Sequence, residues 1–193
     1  MQEYKIRDKW EKRSFLNKSD EQKKSKYLHI PIKNRTVEKF INPYESGWQK
    51  RYYEKLFKKL DSRELRKDVC MNYLEGLEWV INYYSHNCID WTWHYKYNYP
   101  PLLEDLKKFT PRYDTTFIKE HENSYESVSP LVQLSYVLPR DSLHLLGKHR
   151  TRLLKNMDSC YSKNIKLEWA FCKYIWESHV DLCYLDLNKL KNI

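Results

Sequence analysis

Glycine is scarce in this chain, with three residues in 193. A dinucleotide-binding turn or a phosphate-cradling loop needs several glycines close together, so neither can be built here. Cysteine usage is equally restrictive. Cys70, Cys88, Cys160, Cys172 and Cys183 are odd in number, widely spaced and without a Cys-x-x-Cys pair. That pattern argues against both a disulfide framework and a structural zinc site, leaving reduced, packed thiols as the expectation. His86 with Cys88, and His144 with His149, lack a second pair to complete a metal shell, so no metal site is expected. No apolar run approaches the roughly 20 residues that span a bilayer, and the polar N-terminus lacks a signal-peptide core. No membrane partner is expected, and the chain reads as intracellular, cytoplasmic or nuclear.

Positive charge and aromatic rings are what the chain has in quantity. The 35 Lys and Arg residues against 26 Asp and Glu leave a net charge of +9, a balance that suits an acidic partner such as nucleic acid or an anionic membrane surface. Trp, Tyr and Phe make up 16% of the residues. They concentrate between Asp90 and Pro101, where Trp91, Trp93, Tyr95, Tyr97 and Tyr99 occupy alternate positions. In an extended segment these five share one face and Thr92, His94, Lys96 and Asn98 the other. Such rings serve either as ordinary core, since they bury large areas, or as a platform on which bases stack. The sequence leaves both readings open.

The remaining pattern is helical. Residues 1–27 read as a polar, basic arm or linker, and 27–43 as an irregular approach. Trp48, Tyr52, Leu56 and Leu60 recur every fourth residue, predicting a helix over about 45–60. Its opposite side carries Lys50, Arg51, Glu54, Lys55, Lys58 and Lys59. Asp61 followed by Glu64 suggests a cap for a second helix over about 62–84. Cys70, Tyr73, Leu74, Leu77, Val80, Ile81 and Tyr84 would line its buried face, and the two helices would pair antiparallel. Gly76, in the middle of the second helix, costs up to about 1 kcal/mol relative to Ala, which a close approach by a neighbour would justify. Pro100 and Pro101 open a short helix that Pro111 stops; 112–127 read as a polar loop. Ser129 and Pro130 introduce a helix that Pro139 ends. Asp141 starts another that ends near Gly147 and the basic Lys148-His149-Arg150 cluster. Trp169 to Trp176 suggests a strand or extended piece, and Asp186 to Leu190 a final helical turn. The expected fold is mainly α, an irregular helical domain with long aromatic loops and little β near the C-terminus.

Several segments together resemble the helical second half of the XRN 5′-to-3′ exoribonuclease core. They are Gly47-Trp48-Gln49-Lys50-Arg51-Tyr52-Tyr53, Tyr73-Leu74-Glu75-Gly76-Leu77-Glu78-Trp79-Val80 and the Trp91 to Pro101 run. Pro130-Leu131-Val132-Gln133-Leu134 with Val137-Leu138-Pro139, then Trp176-Glu177 with Leu185-Asp186, continue the likeness to the C-terminus. Lys96 stands where a proline is common in that family, Asn98 where a histidine is common, Pro100 where an alanine is, and Cys183 where a proline is. The likeness covers 28–193, an XRN-like helical domain following the arm.

That family degrades RNA bearing a 5′ monophosphate. The resemblance implies that the metal-binding acids and the phosphate-reading pocket belong to an N-terminal nuclease half with no counterpart in these residues. Magnesium is then expected only there, with no cofactor and no catalytic residue in this chain. The partners implied are single-stranded RNA and an XRN-type nuclease domain. Trp91 or Trp93 is the expected stacking ring, with His94 and Lys96 beside it for the backbone and Lys50 and Arg51 as further contacts. A stand-alone binder of single-stranded RNA, or a degenerate protein-interaction fragment, are the alternatives.

Overall fold

Some helices among the described residues start where a side chain takes over amides that the first turn leaves unpaired, as at Ser62 and Asp186, or where proline needs no partner, as at Pro31 and Pro130. The computed structural model describes residues 27–118, 127–155, 160–161, 166–181 and 185–192. All but one residue of the expected arm, and Cys183, lie outside them. The chain is mainly helical with a single two-stranded sheet among the described residues, as its composition and periodicity predict. It divides into two units, Met1–Phe40 with Lys166–Asp181, and Ile41–Ile165 with Leu182–Ile193.

In the first unit, α1 (Ile30–Lys33) carries Pro31 in its first turn, and α2 (Thr36–Ile41) follows, running into the second unit at Ile41. This segment, read from sequence as irregular, is thus two short helices. Strand β1 (Lys166–Glu168) pairs antiparallel with β2 (His179–Asp181), Leu167 opposite Val180. The extended piece expected over 169–176 is displaced: the strands flank it, and the chain between them turns and ends in a 3-10 helix, Ile175–Glu177. The cause is the Glu177 carboxylate, which accepts hydrogen bonds from the amides of Lys173 (2.7 Å) and Tyr174 (3.2 Å) and folds the segment back. Trp169 Nε1 donates to the Asn34 carbonyl, and Glu38 accepts from the Phe171 amide, tying hairpin to helices.

The second unit begins with a loop held by one side chain. Arg51 donates to the carbonyls of Ile41, Asn42, Glu45 and Ser46 at 2.9–3.3 Å. Gly47, at φ 75°, makes the turn into α3 (Trp48–Phe57). Leu60, expected on the buried stripe, falls beyond the helix and is exposed. Helix α4 (Arg63–Ser85) is capped by Ser62, whose Oγ accepts from the Leu65 amide at 3.1 Å, rather than by Asp61. Asp61 instead forms a two-pronged pair with Arg66 at 2.6 and 2.7 Å. Arg66 also reaches the buried Asp105 at 3.2 Å and lies 4.6 Å over the Tyr53 ring. The buried Asp105 charge is therefore matched, as burial requires.

Helix α5 (Leu103–Phe109) packs on α4. The antiparallel partner expected for α4, helix α3, meets it instead through Tyr53 and Arg66. Helix α6 (Pro130–Val137) starts on its proline; Ser129 precedes it without making a side-chain cap bond. A 3-10 helix (Arg140–Leu146), α7 (Lys148–Lys155) and α8 (Leu187–Lys191) follow, with Asp186 capping the last through the Asn188 amide. Val132, Leu143, Leu154, Tyr161, Leu185 and Leu190 form their shared core. The Tyr161 hydroxyl donates to the Ser135 carbonyl inside it.

Candidate nucleic-acid interface

The aromatic run lies along α4 and travels against it. Asp90 sits beside Trp79, whose Nε1 donates to the Asp90 carbonyl at 2.8 Å. The Trp93 ring stacks on Trp79, centroids 5.7 Å apart and planes 20° apart, and Trp79 stacks in turn on Tyr83 at 5.2 Å and 11°. Tyr95 meets Tyr73 edge-on at 5.9 Å. The Lys96 amide then donates to Asn72 Oδ1 at 2.9 Å. So as the run proceeds from 90 to 96, its partners retreat from 79 to 72.

Both ends are fastened. The Asp90 side chain accepts from the amide and hydroxyl of Thr92, each at 2.7 Å, closing a local turn. At the far end Tyr52 donates its hydroxyl proton to the Pro100 carbonyl (2.9 Å), and the Leu102 amide donates to the Tyr53 hydroxyl (3.2 Å). The Tyr97 ring packs on Phe57 of α3, and the Tyr95 hydroxyl donates to the Tyr99 carbonyl. Burial pushes the Tyr52 hydroxyl pKa up to about 12 and raises those of Tyr53 and Tyr95 further. All three therefore stay neutral and serve as fixed hydrogen-bonding groups.

Alternation survives in burial although the run bends at 91–92 and 96–99. Trp93, Tyr95 and Tyr97 are half-buried and Tyr99 is buried, whereas Thr92, His94, Lys96 and Asn98 are exposed. Most of the ring face is thus turned to α4 and α3 as core. Trp91 breaks the pattern: it is 44% exposed and has no ring or hydrogen-bond partner among the described residues.

Gly76 explains how Trp93 fits. A β-carbon at position 76 would lie 2.6 Å from the Trp93 Cη2 atom, well inside van der Waals contact. The close approach expected of this glycine is real, and its agent is an indole ring. Asn72, also buried, is satisfied at both ends: its Nδ2 donates to Glu75 Oε2 at 2.7 Å while its Oδ1 receives Lys96. Asn72, Gly76, Trp79 and Tyr83 share one helical face at i, i+4, i+7 and i+11. Their spacing was in the sequence, but the apolar periodicity drew attention to other positions.

Among the predicted contacts, His94 is exposed with Nδ1 3.2 Å from the Thr92 carbonyl, and the Lys96 side chain is exposed beside it in sequence. Trp91, His94 and Lys96 therefore form the outer edge of the run. Lys50 is not gathered there. It pairs with Glu54 at 3.8 Å and lines a separate cleft of about 320 Å³ with Gln49, Arg66, Glu104, Asp105 and Lys108. Arg51 is engaged by the four loop carbonyls, and Trp93 is engaged by Trp79 and Gly76.

The far half of α4 differs from expectation. Leu77, Val80, Ile81 and Tyr84, assigned to the buried face, are exposed, Tyr84 to 83%. They form an apolar stripe at i, i+3, i+4 and i+7 that the described residues cover only in part. On α6, Leu131, Leu134 and Val137 are exposed in the same manner. Among the described residues no three His, Cys, Asp or Glu side chains converge to hold a metal ion, and no helix is long and apolar enough to cross a membrane.

The comparisons with known proteins agree with this architecture. Residues 3–193 match the family model described as the Xrn1 helical domain. The chain is 33% identical over 154 residues to 5′-3′ exoribonuclease 2 of Arabidopsis thaliana, covering 75% of this chain and 14% of that protein. It is 31% identical over 163 residues to 5′-3′ exoribonuclease 2 of Saccharomyces cerevisiae, covering 80% and 15%. With the Gallus gallus protein of the same name the figures are 30%, 78% and 16%. The match thus spans 14–16% of the length of these relatives. Family model, order of segments and helical fold coincide: this chain belongs to the family of the Xrn1 helical domain.

Proposed function

We propose that this chain is the RNA-gripping, helical part of a 5′-to-3′ exoribonuclease, walling an active site whose cutting machinery a nuclease domain supplies. The observation that carries the reading is Trp91, an indole left exposed at the edge of an aromatic wall whose other rings are packed. A ring so placed offers a face to a base, which stacks irrespective of sequence, and His94 and Lys96 lie beside it in the chain for the phosphodiester backbone. Trp93 acts behind Trp91 as packing. Trp79 and Gly76 hold the wall in place.

Among the described residues the carboxylates are taken by Arg66 and backbone amides or spread over helix faces, and no acidic cluster of the kind hydrolysis needs is formed by them. In this reading magnesium is held by the nuclease domain. The exposed stripe of Leu77, Val80, Ile81 and Tyr84 is the kind of surface such a domain would bury.

The test is reconstitution. RNA with a 5′ monophosphate is incubated in magnesium with the purified chain, with an XRN-type nuclease domain, and with both. The chain alone leaves the RNA intact, the two together shorten it progressively from the 5′ end, and they co-elute. Shortening by the chain alone, or no gain from mixing and no complex, overturns the reading.

A further inference from the structure

A second charged surface lies away from the aromatic run, on α7. A cleft of about 470 Å³ is lined by His144 of the 3-10 helix and by Lys148, Thr151, Arg152 and Lys155 of α7. Among the described residues no acidic side chain lines it. Lys148, Arg152 and Lys155 stand at i, i+4 and i+7, one face of the helix, spread over about 10 Å of its length. We propose that this cleft binds successive phosphate groups of a single-stranded nucleic acid, with Lys148, Arg152 and Lys155 as the contacts.

Three observations support it. The helix cannot roll to hide these cations, because its other side is pinned: Leu154 is fully buried in the core, Thr151 Oγ lies 2.6 Å and 2.7 Å from the carbonyl oxygens of Leu143 and Gly147, and Arg150 donates to the Leu190 carbonyl. The cations are also unneutralised, since none of the three forms an ion pair with a described residue. Like charges at i, i+4 destabilise a helix by a few tenths of a kcal/mol, so the arrangement works against folding and an external anion would relieve it. Finally, the contacts form a line on an open cleft. A line fits a chain of phosphates better than one small anion, and arginine's planar fork matches phosphate oxygens. Among the described residues no aromatic side chain lines the cleft, so the contact would be to the backbone and insensitive to sequence.

This proposal stands apart from the role given to Trp91, and one experiment separates them. A labelled 20-nucleotide polyuridylate is titrated with the full chain at several salt concentrations. The variant K148Q/R152Q/K155Q is compared with K59Q/K67Q/K107Q, which removes the same charge from exposed lysines elsewhere, and with W91A. The first triple is expected to bind about tenfold more weakly at low salt, its log K against log salt slope reduced by about 2. The control triple changes much less, and W91A weakens binding with the slope intact. If the cleft triple does not fold, the single variants K148Q, R152Q and K155Q each lower the slope by about 0.7. Unchanged binding by the cleft variants, or equal loss in both triples, overturns the proposal. So does equal competition by a polyglutamate of the same length acting through the same residues.

Discussion

Gly76 and Trp93 fit as socket and plug: the Trp93 ring occupies the space where a β-carbon on residue 76 would stand, 2.6 Å from Cη2. Alanine is the better helix former by about 1 kcal/mol, yet here it would push a stacked ring off its seat. Overpacking of this kind costs about 1–3 kcal/mol, so Gly76→Ala is expected to lower stability by up to about 2 kcal/mol after that offset. In a Trp93→Ala background the same change becomes stabilising. A double-mutant cycle by urea denaturation reads the sign reversal; a destabilisation of the same size in both backgrounds would remove the socket.

The two tryptophans of the run separate by assay. Trp93→Ala opens a hole behind the wall and is expected to cost about 2–4 kcal/mol of folding free energy. Trp91→Ala should leave the urea midpoint nearly unchanged while weakening single-stranded RNA binding by about 1–3 kcal/mol. Wild-type RNA affinity in a folded Trp91→Ala protein would end the stacking role.

Arg51 has a structural assignment that its place in a basic motif conceals. With the carbonyls of Ile41, Asn42, Glu45 and Ser46 all turned towards it, Arg51→Met is expected to cost about 1.5–3 kcal/mol, the range for hydrogen bonds to a charged group. Lys50→Met, on the exposed face, should cost under about 0.5 kcal/mol. Thermal unfolding compares the two; equal midpoints would show that the loop does not depend on Arg51.

Arg66 is the counter-charge of a buried carboxylate. Arg66→Met strands Asp105 and is expected to destabilise by about 3–5 kcal/mol. Adding Asp105→Asn should recover part of that loss, because the stranded charge disappears. Chemical denaturation of the single and double variants tests the coupling, and strict additivity would refute it.

High pH should loosen the second unit. Burial raises Cys70 from 9.0 to about 11 and Tyr52 from 10.0 to about 12. The native state therefore keeps protons that the unfolded chain releases, so stability is full below about pH 9 and falls as pH rises through 11 and 12. Cys70→Ala should flatten the part of the decline between 9 and 11 in urea midpoints measured across that range. A decline of the same steepness without the thiol would assign it elsewhere.

How much of this was legible depended on where the determinants lie. Helices α3 and α4 and the alternation from Trp91 to Tyr99 were readable because periodicity is local. The cap of α4 was misassigned because Asp61 and Ser62 can both cap; Arg66, one turn on, claims the aspartate. Leu77, Val80, Ile81 and Tyr84 looked like core because an apolar stripe records that something covers it, without saying whether that something is in the same chain. Of the line Lys148, Arg152 and Lys155, only Lys148 falls in the Lys148-His149-Arg150 cluster read as the end of a helix, whereas Gly147, at φ 85°, precedes the start of another helix that carries all three.

The opposed course of run and helix means that the wall has no independent foundation. Buried residues such as Asn72 aim the exposed ones, so a change on the concealed side of α4 would re-aim Lys96 through its backbone amide and Trp91 from a distance. Drift in the exposed edge of the run can therefore begin behind it, at positions that a survey of exposed residues would pass over.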